Sequence, residues 1–366
     1  MEGKKMYLAH KFCKDEDIYD PNTINGCLNR IERIMKKEQE TLSEKYNLNP
    51  KDDITAWIFW KLQEASFWPS DEIDYSRLKD DYINASPAIQ NAVDLINGWF
   101  AGGDGIIIQN IAFRFSVEAR SMNEKSALLT QMRQEVVHAV SYMNTITSMI
   151  PDLEHRQKIL RMADNLKCVK EKEQLMEAYM KNPLPKGYRI VAFACAEGIS
   201  FWASFDVIFW LKSQGMFITL ADLNELIAKD EGMHRDYACA RFRELPENDK
   251  PSYNDVLTIV KEFVEIEYEF ADAVAGPLEK EGHSLTPTTM KKFIRYMANN
   301  LLIGLGFKDY FEDAEFPSYM RNISSSQKSN FYEVNVGAYQ QFSVEEHINN
   351  QNNFDDDDFD IDDGDF

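Results

Sequence analysis

Two Glu-x-x-His spacings constrain this chain more than any other feature: Glu135-Val136-Val137-His138 and Glu231-Gly232-Met233-His234, in a sequence with six histidines. On a helix each residue advances about 100°, so positions i, i+3 and i+7 share a face. Glu135, His138 and Tyr142 then form one stripe of carboxylate, imidazole and phenol. The residues between them are mostly apolar, which turns the stripe towards the protein interior. On spacing alone, a solvated glutamate and a satisfied helix histidine account for each pair equally well. The remainder of the chain decides between the readings.

A chain of 366 residues, 44% hydrophobic and 12% aromatic, can bury a large core in one domain or two. Cys13, Cys27, Cys168, Cys195 and Cys239 are odd in number and lack CxxC spacing, which predicts reduced thiols in an intracellular, cytoplasmic protein. No apolar segment follows Met1-Glu2-Gly3-Lys4-Lys5, so no secretory signal is visible. A net charge of −21 argues against a nucleic-acid partner. Eight aspartates in the last twelve residues supply much of that charge.

The spacing of apolar residues predicts helices over 25–45, 54–67, 87–119, 124–149, 153–180, 220–243, 253–275 and 287–305, and no βαβ alternation or repeat. Two runs are anomalous. Between Asp94 and Arg114 the only charge is Asp104, set among Gly102, Gly103 and Gly105. From Ile190 to Phe205 the only charge is Glu197. A buried, unpaired carboxylate is costly, so each needs a proton, a partner or a cation. A cap or turn among the glycines is the plain alternative for Asp104. The second run is long enough for a membrane span when extended to Leu211, but it carries Glu197 and Asp206 and has no hydrophobic partner segment. A core helix with one purposeful acid is expected, and no membrane partner.

Two helices offering Glu-x-x-His and two offering a lone buried acid make the inward-facing ligand set of a di-metal carboxylate bundle. Oxygen donors with one imidazole per metal suit iron or manganese. Beyond about Ser324 the chain turns polar, and the acidic terminus is expected to stay solvated and disordered. Phe354, Phe359, Ile361 and Phe366 interrupt the aspartates, a pattern that reads as a docking peptide. The expected divisions are an irregular segment 1–22, a helical domain 23–323 and a tail 324–366.

These residues match a known family. The chain resembles the small, radical-generating subunit of class I ribonucleotide reductase of the eukaryotic type. The matching motifs are Glu64-Ala-Ser-Phe-Trp68, 101–105 with Asp104, 135–142, 191–198 with Glu197, Ile208-Phe-Trp-Leu-Lys212, Asn224-Glu-Leu-Ile227, 230–234 and Val336-Gly-Ala-Tyr339, in the family's order. The resemblance implies an all-α, ferritin-like bundle with two iron ions per chain. Asp104, Glu135 and His138 would hold one iron, and Glu197, Glu231 and His234 the other, with carboxylates bridging. Tyr142 would carry a stable radical in an apolar lining of Phe201, Phe205 and Ile227. Trp68, Asp230 and His138 would form the inner end of a radical-transfer path and Tyr339 its outer end. The resemblance also implies a homodimer whose tail docks on the large catalytic subunit, which reduces ribonucleoside diphosphates. Lys229 stands where the family commonly has arginine, and Ser200-Phe201-Trp202 alters a phenylalanine-containing stretch. A di-iron oxygenase or oxidase on the same bundle would need a substrate channel but no Trp68, Tyr339 or tail. Iron storage, or a silent paralogue that stabilises an active partner, is the non-enzymatic alternative; such a paralogue would be expected to lose ligands or the tyrosine.

Overall fold

The computed structural model describes residues 48–161 and 166–320. The chain divides into two units, Met1–Ile323 and Ser324–Phe366, and all described residues belong to the first. The expected helix over 25–45, the tail and Tyr339 lie outside the described residues.

Eleven principal helices carry the described unit: α1 (Ile54–Ala65), α2 (Leu78–Asn84), α3 (Pro87–Asn110), α4 (Met122–Met149), α5 (Leu153–Leu160), α6 (Lys167–Lys181), α7 (Lys186–Cys195), α8 (Trp202–Ser213), α9 (Ile218–Arg243), α10 (Tyr253–Lys280) and α11 (Pro287–Gly304). No strand occurs among the described residues. Their starts follow local chemistry. Asp53, Ser86, Ser121 and Ser252 each accept a hydrogen bond from a backbone N–H in the following turn, and Thr286 with Thr289 closes a reciprocal capping box. Pro87 and Pro287 occupy first-turn positions where no N–H is missed.

The long helices α3, α4, α9 and α10 pack with α1 and α7 into a ferritin-like bundle. Two five-residue π-helical turns interrupt the regularity: Ile111–Phe115 follows α3, and Ala196–Ser200 joins α7 to α8. The helical path from Lys186 to Ser213 is long and apolar enough to cross a membrane, yet its most apolar window is wholly buried within the fold. Cys168, Cys195 and Cys239 are buried free thiols.

Two expectations change. The single helix over 153–180 is two: α5 ends at Leu160 and α6 begins at Lys167. Arg161 leaves the helical range at φ −101° and ψ 20°, and Leu166 enters α6 from an extended backbone. Conversely α10 continues past Ala275 through Pro277 to Lys280 because Val274, Ala275 and Leu278 are fully buried there.

Asp206, the second acid of the apolar run, lies buried on α8, where the Tyr319 hydroxyl donates to its Oδ1. Burial pushes its carboxyl up to about 7, against the pull of that hydrogen bond. The folded state therefore holds this proton more tightly than the unfolded chain. The associated stability is fully present below about pH 4 and is lost as pH rises through about 7. Asp206→Asn keeps an acceptor for Tyr319 and removes the ionisation. Urea unfolding across pH 4–8 should show a flatter profile for the variant, with a gain on the order of 2–4 kcal/mol at the upper end. Parallel profiles would contradict this account.

Candidate metal centre

Asp104 lies inside α3, not at a cap or turn, and is 1% exposed. Glu135 and His138 come from α4, Glu197 from the π turn between α7 and α8, and Glu231 and His234 from α9; all five are at most 1% exposed. Four separate segments thus deliver four carboxylates and two imidazoles to one interior space. The residues fall into two groups whose potential ligand atoms lie within 4.8 Å of one another: Asp104, Glu135 and His138, and Glu135, Glu197, Glu231 and His234. Glu135 belongs to both.

The imidazoles show how the space is used. His138 Nδ1 lies 3.1 Å from Glu231 Oε1 and 3.4 Å from Glu135 Oε2. His234 Nδ1 lies 2.9 Å from Glu135 Oε1 and 3.4 Å from Glu231 Oε2. Glu135 and Glu231 therefore each turn one oxygen to each ring. Both Nε2 atoms point outward: His138 Nε2 is 3.2 Å from Asp230 Oδ2, and His234 Nε2 is 3.0 Å from Gln134 Oε1. An acceptor at Nε2 selects the tautomer protonated there and leaves the Nδ1 lone pair facing the cluster.

Without a cation the arrangement is electrostatically poor. Burial and the neighbouring Glu135 hold the Asp104 carboxyl well above its usual range, and the same two causes raise Glu197. For Glu231 burial acts upward but is overcome by His138 and His234, which hold it well below the carboxylate range. His138 and His234 are raised despite their burial, His138 by Asp230, Glu135 and Glu231, and His234 to about 9 by Glu135 and Glu231. Both oxygens of Asp104 and Glu135, one each of Glu197 and Glu231, and both Nδ1 atoms are buried without a hydrogen-bond partner. Acceptors converging without donors are what cations require. Two divalent ions would balance four carboxylates beside neutral imidazoles, and this donor set suits iron or manganese. The residues fit a two-metal centre.

Tyr142 follows His138 by one turn and is 1% exposed. Its hydroxyl donates to Asn224 Oδ1 at 3.1 Å, and its ring stacks on Phe100 with centroids 4.4 Å apart. Phe201 and Phe205 pack on Phe100 in turn. Burial, then the charges of Asp104, Glu231 and Glu135, raise the phenol well above its ordinary value. On the other side of His138, Trp68 Nε1 donates to Asp230 Oδ2 at 2.9 Å, the same oxygen that meets His138 Nε2. Trp68 also stacks on the His138 ring at 5.9 Å.

Sequence reasoning missed Gln131, Gln134, Phe100 and any role for Asn224. Gln131 Nε2 donates to Glu197 Oε1 at 2.8 Å. It stands four residues before Glu135 on the same stripe, and Phe100 stands four before Asp104, so helical spacing carried a signal for both.

A profile of the family described as Ribonucleotide reductase, small chain, matches residues 45–317. The chain belongs to the ribonucleotide reductase small-chain family. It is 34% identical over 288 residues to the ribonucleoside-diphosphate reductase small chain of Variola virus, covering 79% of this chain and 89% of the relative. With the ribonucleoside-diphosphate reductase subunit M2 of Mesocricetus auratus it shares 35% identity over 289 residues, 79% of this chain and 74% of the relative. A ribonucleotide reductase homodimer of Saccharomyces cerevisiae superposes with a TM-score of 0.66 at 26% identity, over 84% of this chain and 99% of that one. The dimanganese(II)-NrdF structure of Streptococcus sanguinis gives a TM-score of 0.65 at 21% identity, over 76% and 99%, and speaks to the fold alone. As a ribonucleotide reductase small chain, the protein is the smaller component of an oxidoreductase, and Trp68, Tyr142 and the six clustered residues all lie inside the matched region.

Proposed function

We propose that this small chain generates a radical at Tyr142 and delivers its oxidising equivalent to a large subunit that reduces ribonucleoside diphosphates. Asp104, Glu135 and His138 would hold one iron, and Glu197, Glu231 and His234 the other, with Glu135 within reach of both. Reduced iron held there supplies, with dioxygen, the oxidant for the nearby phenol.

The chain's own residues do the remainder. Tyr142 stays protonated in its dry surroundings, so losing an electron means losing the Oη proton as well. Asn224 orients that hydroxyl, and Phe100 keeps water and reductants from the ring. Asp230 fixes the His138 tautomer through Nε2 and accepts from Trp68, so one carboxylate oxygen links the cluster to the indole. That link is the observation that supports radical transfer over the oxygenase reading. Two cavities among the described residues, of about 10 and 20 Å³, have room for about one water each, and neither is lined by a site residue.

Two interaction surfaces complete the proposal. Leu129, Val136, Val140 and Met143 lie along one face of α4, away from Glu135 and His138, and are 41–51% exposed. We assign this stripe to a second copy of the chain, as the yeast relative is a homodimer. The acidic tail, with Tyr339 ahead of it, is assigned to the large subunit.

The test is reconstitution of metal-free protein with iron(II) and oxygen, read by low-temperature EPR and by activity with the large subunit. Two irons per chain and a tyrosyl signal are expected. Deleting residues 359–366 should leave that signal unchanged and abolish activity. Absence of metal uptake would refute the centre, and full activity of the truncated chain would refute the tail's role.

A further inference from the structure

The π turn that carries Glu197 is held by two side chains outside the metal cluster. A π turn shifts its carbonyls off the regular helical ladder, and inserted side chains commonly serve as their partners. Here Trp202 Nε1 donates to Glu197 O at 3.0 Å, and Lys172 Nζ donates to Ser200 O at 3.0 Å. Lys172 comes from α6 and is 2% exposed, with Glu267 of α10 at 2.7 Å. The Phe270 ring lies 3.7 Å and the Trp99 ring 4.6 Å from its ammonium.

A lysine–glutamate pair is a poor way to fill such a space. Apolar side chains of the same volume usually stabilise a core as well or better, because neither has to be desolvated. What they lack is a donor for Ser200 O. The turn has little freedom elsewhere: a Cβ at Gly198 would stand 2.9 Å from the Arg235 side chain. Gln131 fixes one oxygen of Glu197, and Oε2 remains buried without a partner, facing the cluster.

We propose that Lys172 and Trp202 are positioning residues for Glu197: by holding the carbonyls at both ends of the π turn they set where its carboxylate stands before a metal arrives. The altered stretch Ser200-Phe201-Trp202 thereby acquires a role. The inference rests on reading the six clustered residues as a two-metal centre.

The test titrates the metal-free full-length chain with manganese(II), following free and bound metal by EPR. The variants are Lys172→Met/Glu267→Met, which removes both charges together, and Trp202→Phe, which removes the other donor. The unmodified chain should bind two manganese ions with a coupled spectrum. Each folded variant should keep one ion at unchanged affinity and bind the second about tenfold to a hundredfold more weakly, with the coupled signal reduced. Lys172→Gln/Glu267→Gln retains a donor for Ser200 O without charge and should recover much of the second-site affinity. A purely structural role would instead lower both affinities in parallel with the melting temperature. Wild-type binding of both ions by the folded methionine pair overturns the proposal, and Trp202→Phe decides in the same way if that pair does not fold. Failure of the unmodified chain to bind two ions counts against the metal-centre reading itself.

Discussion

Tyr142→Phe leaves metal binding intact and removes both the stable radical and all reductase activity. The substitution preserves shape: the ring keeps its stack on Phe100, and only the hydroxyl is lost. The structural cost is confined to Asn224 Oδ1, which loses its donor, and amounts to roughly 1–3 kcal/mol for a buried unpaired acceptor. Asn224 remains anchored through Nδ2 to the Leu220 carbonyl, so the pocket should not collapse. A phenylalanine ring cannot be oxidised at the potential that serves a phenol. The expected loss is therefore complete rather than graded. Iron content, the EPR spectrum and turnover with the large subunit check this together, and an undiminished tyrosyl signal would place the radical on another tyrosine.

Glu231→Gln and Glu197→Gln should separate the two kinds of acid in the cluster. Glu231 presents one oxygen to each imidazole, and those contacts hold it ionised despite complete burial. Replacing it removes one of the two carboxylates that face His234 and one of the three around His138. The metal-free variant should lose on the order of 3–5 kcal/mol, the usual cost of breaking a buried ion pair. Both metals should be lost as well. Glu197 is raised by burial and by its acidic neighbours, so the amide resembles the form it already takes when metal-free. Its metal-free stability should change by less than about 1 kcal/mol while only one metal is lost, since surface and isosteric changes without unpaired charge are mild. Metal analysis and thermal melting in the presence of chelator test both halves. Uptake of two metals at wild-type affinity by Glu231→Gln would sink the assignment.

Much of this site was legible before any coordinates, though not always for the right reason. Asp104 and Glu197 stood out because each was the sole charge in an apolar run, and a buried acid demands compensation. The stripe of Glu135, His138 and Tyr142 does face inward. Two of the valines between them, Val136 and Val140, are instead on the surface at 48% and 44% exposure. Periodicity locates a face without saying which side a partner covers. The π turns were invisible because hydrophobic spacing is read at 3.6 residues per turn. The contacts of Asn224 with Tyr142 and of Gln134 with His234 join α9 to α4 across about a hundred residues of chain, and no local pattern encodes them. The end of α5 at Leu160 was missed because its polar residues, such as Arg156, Gln157 and Lys158, suit a helix and a turn alike.

The buried path from Lys186 to Ser213 also has a consequence for how the protein is made. It packs mainly against α9, α10 and α11, all of which follow it in the chain. A ribosome therefore releases the most apolar stretch before α9, α10 and α11 are complete, and its cover is finished only when residues near Gly304 emerge. Such an interval favours aggregation or mistaken delivery to a membrane. Products truncated before α11 should accumulate as insoluble material rather than as a smaller folded bundle, which fractionation of the expressed fragment checks.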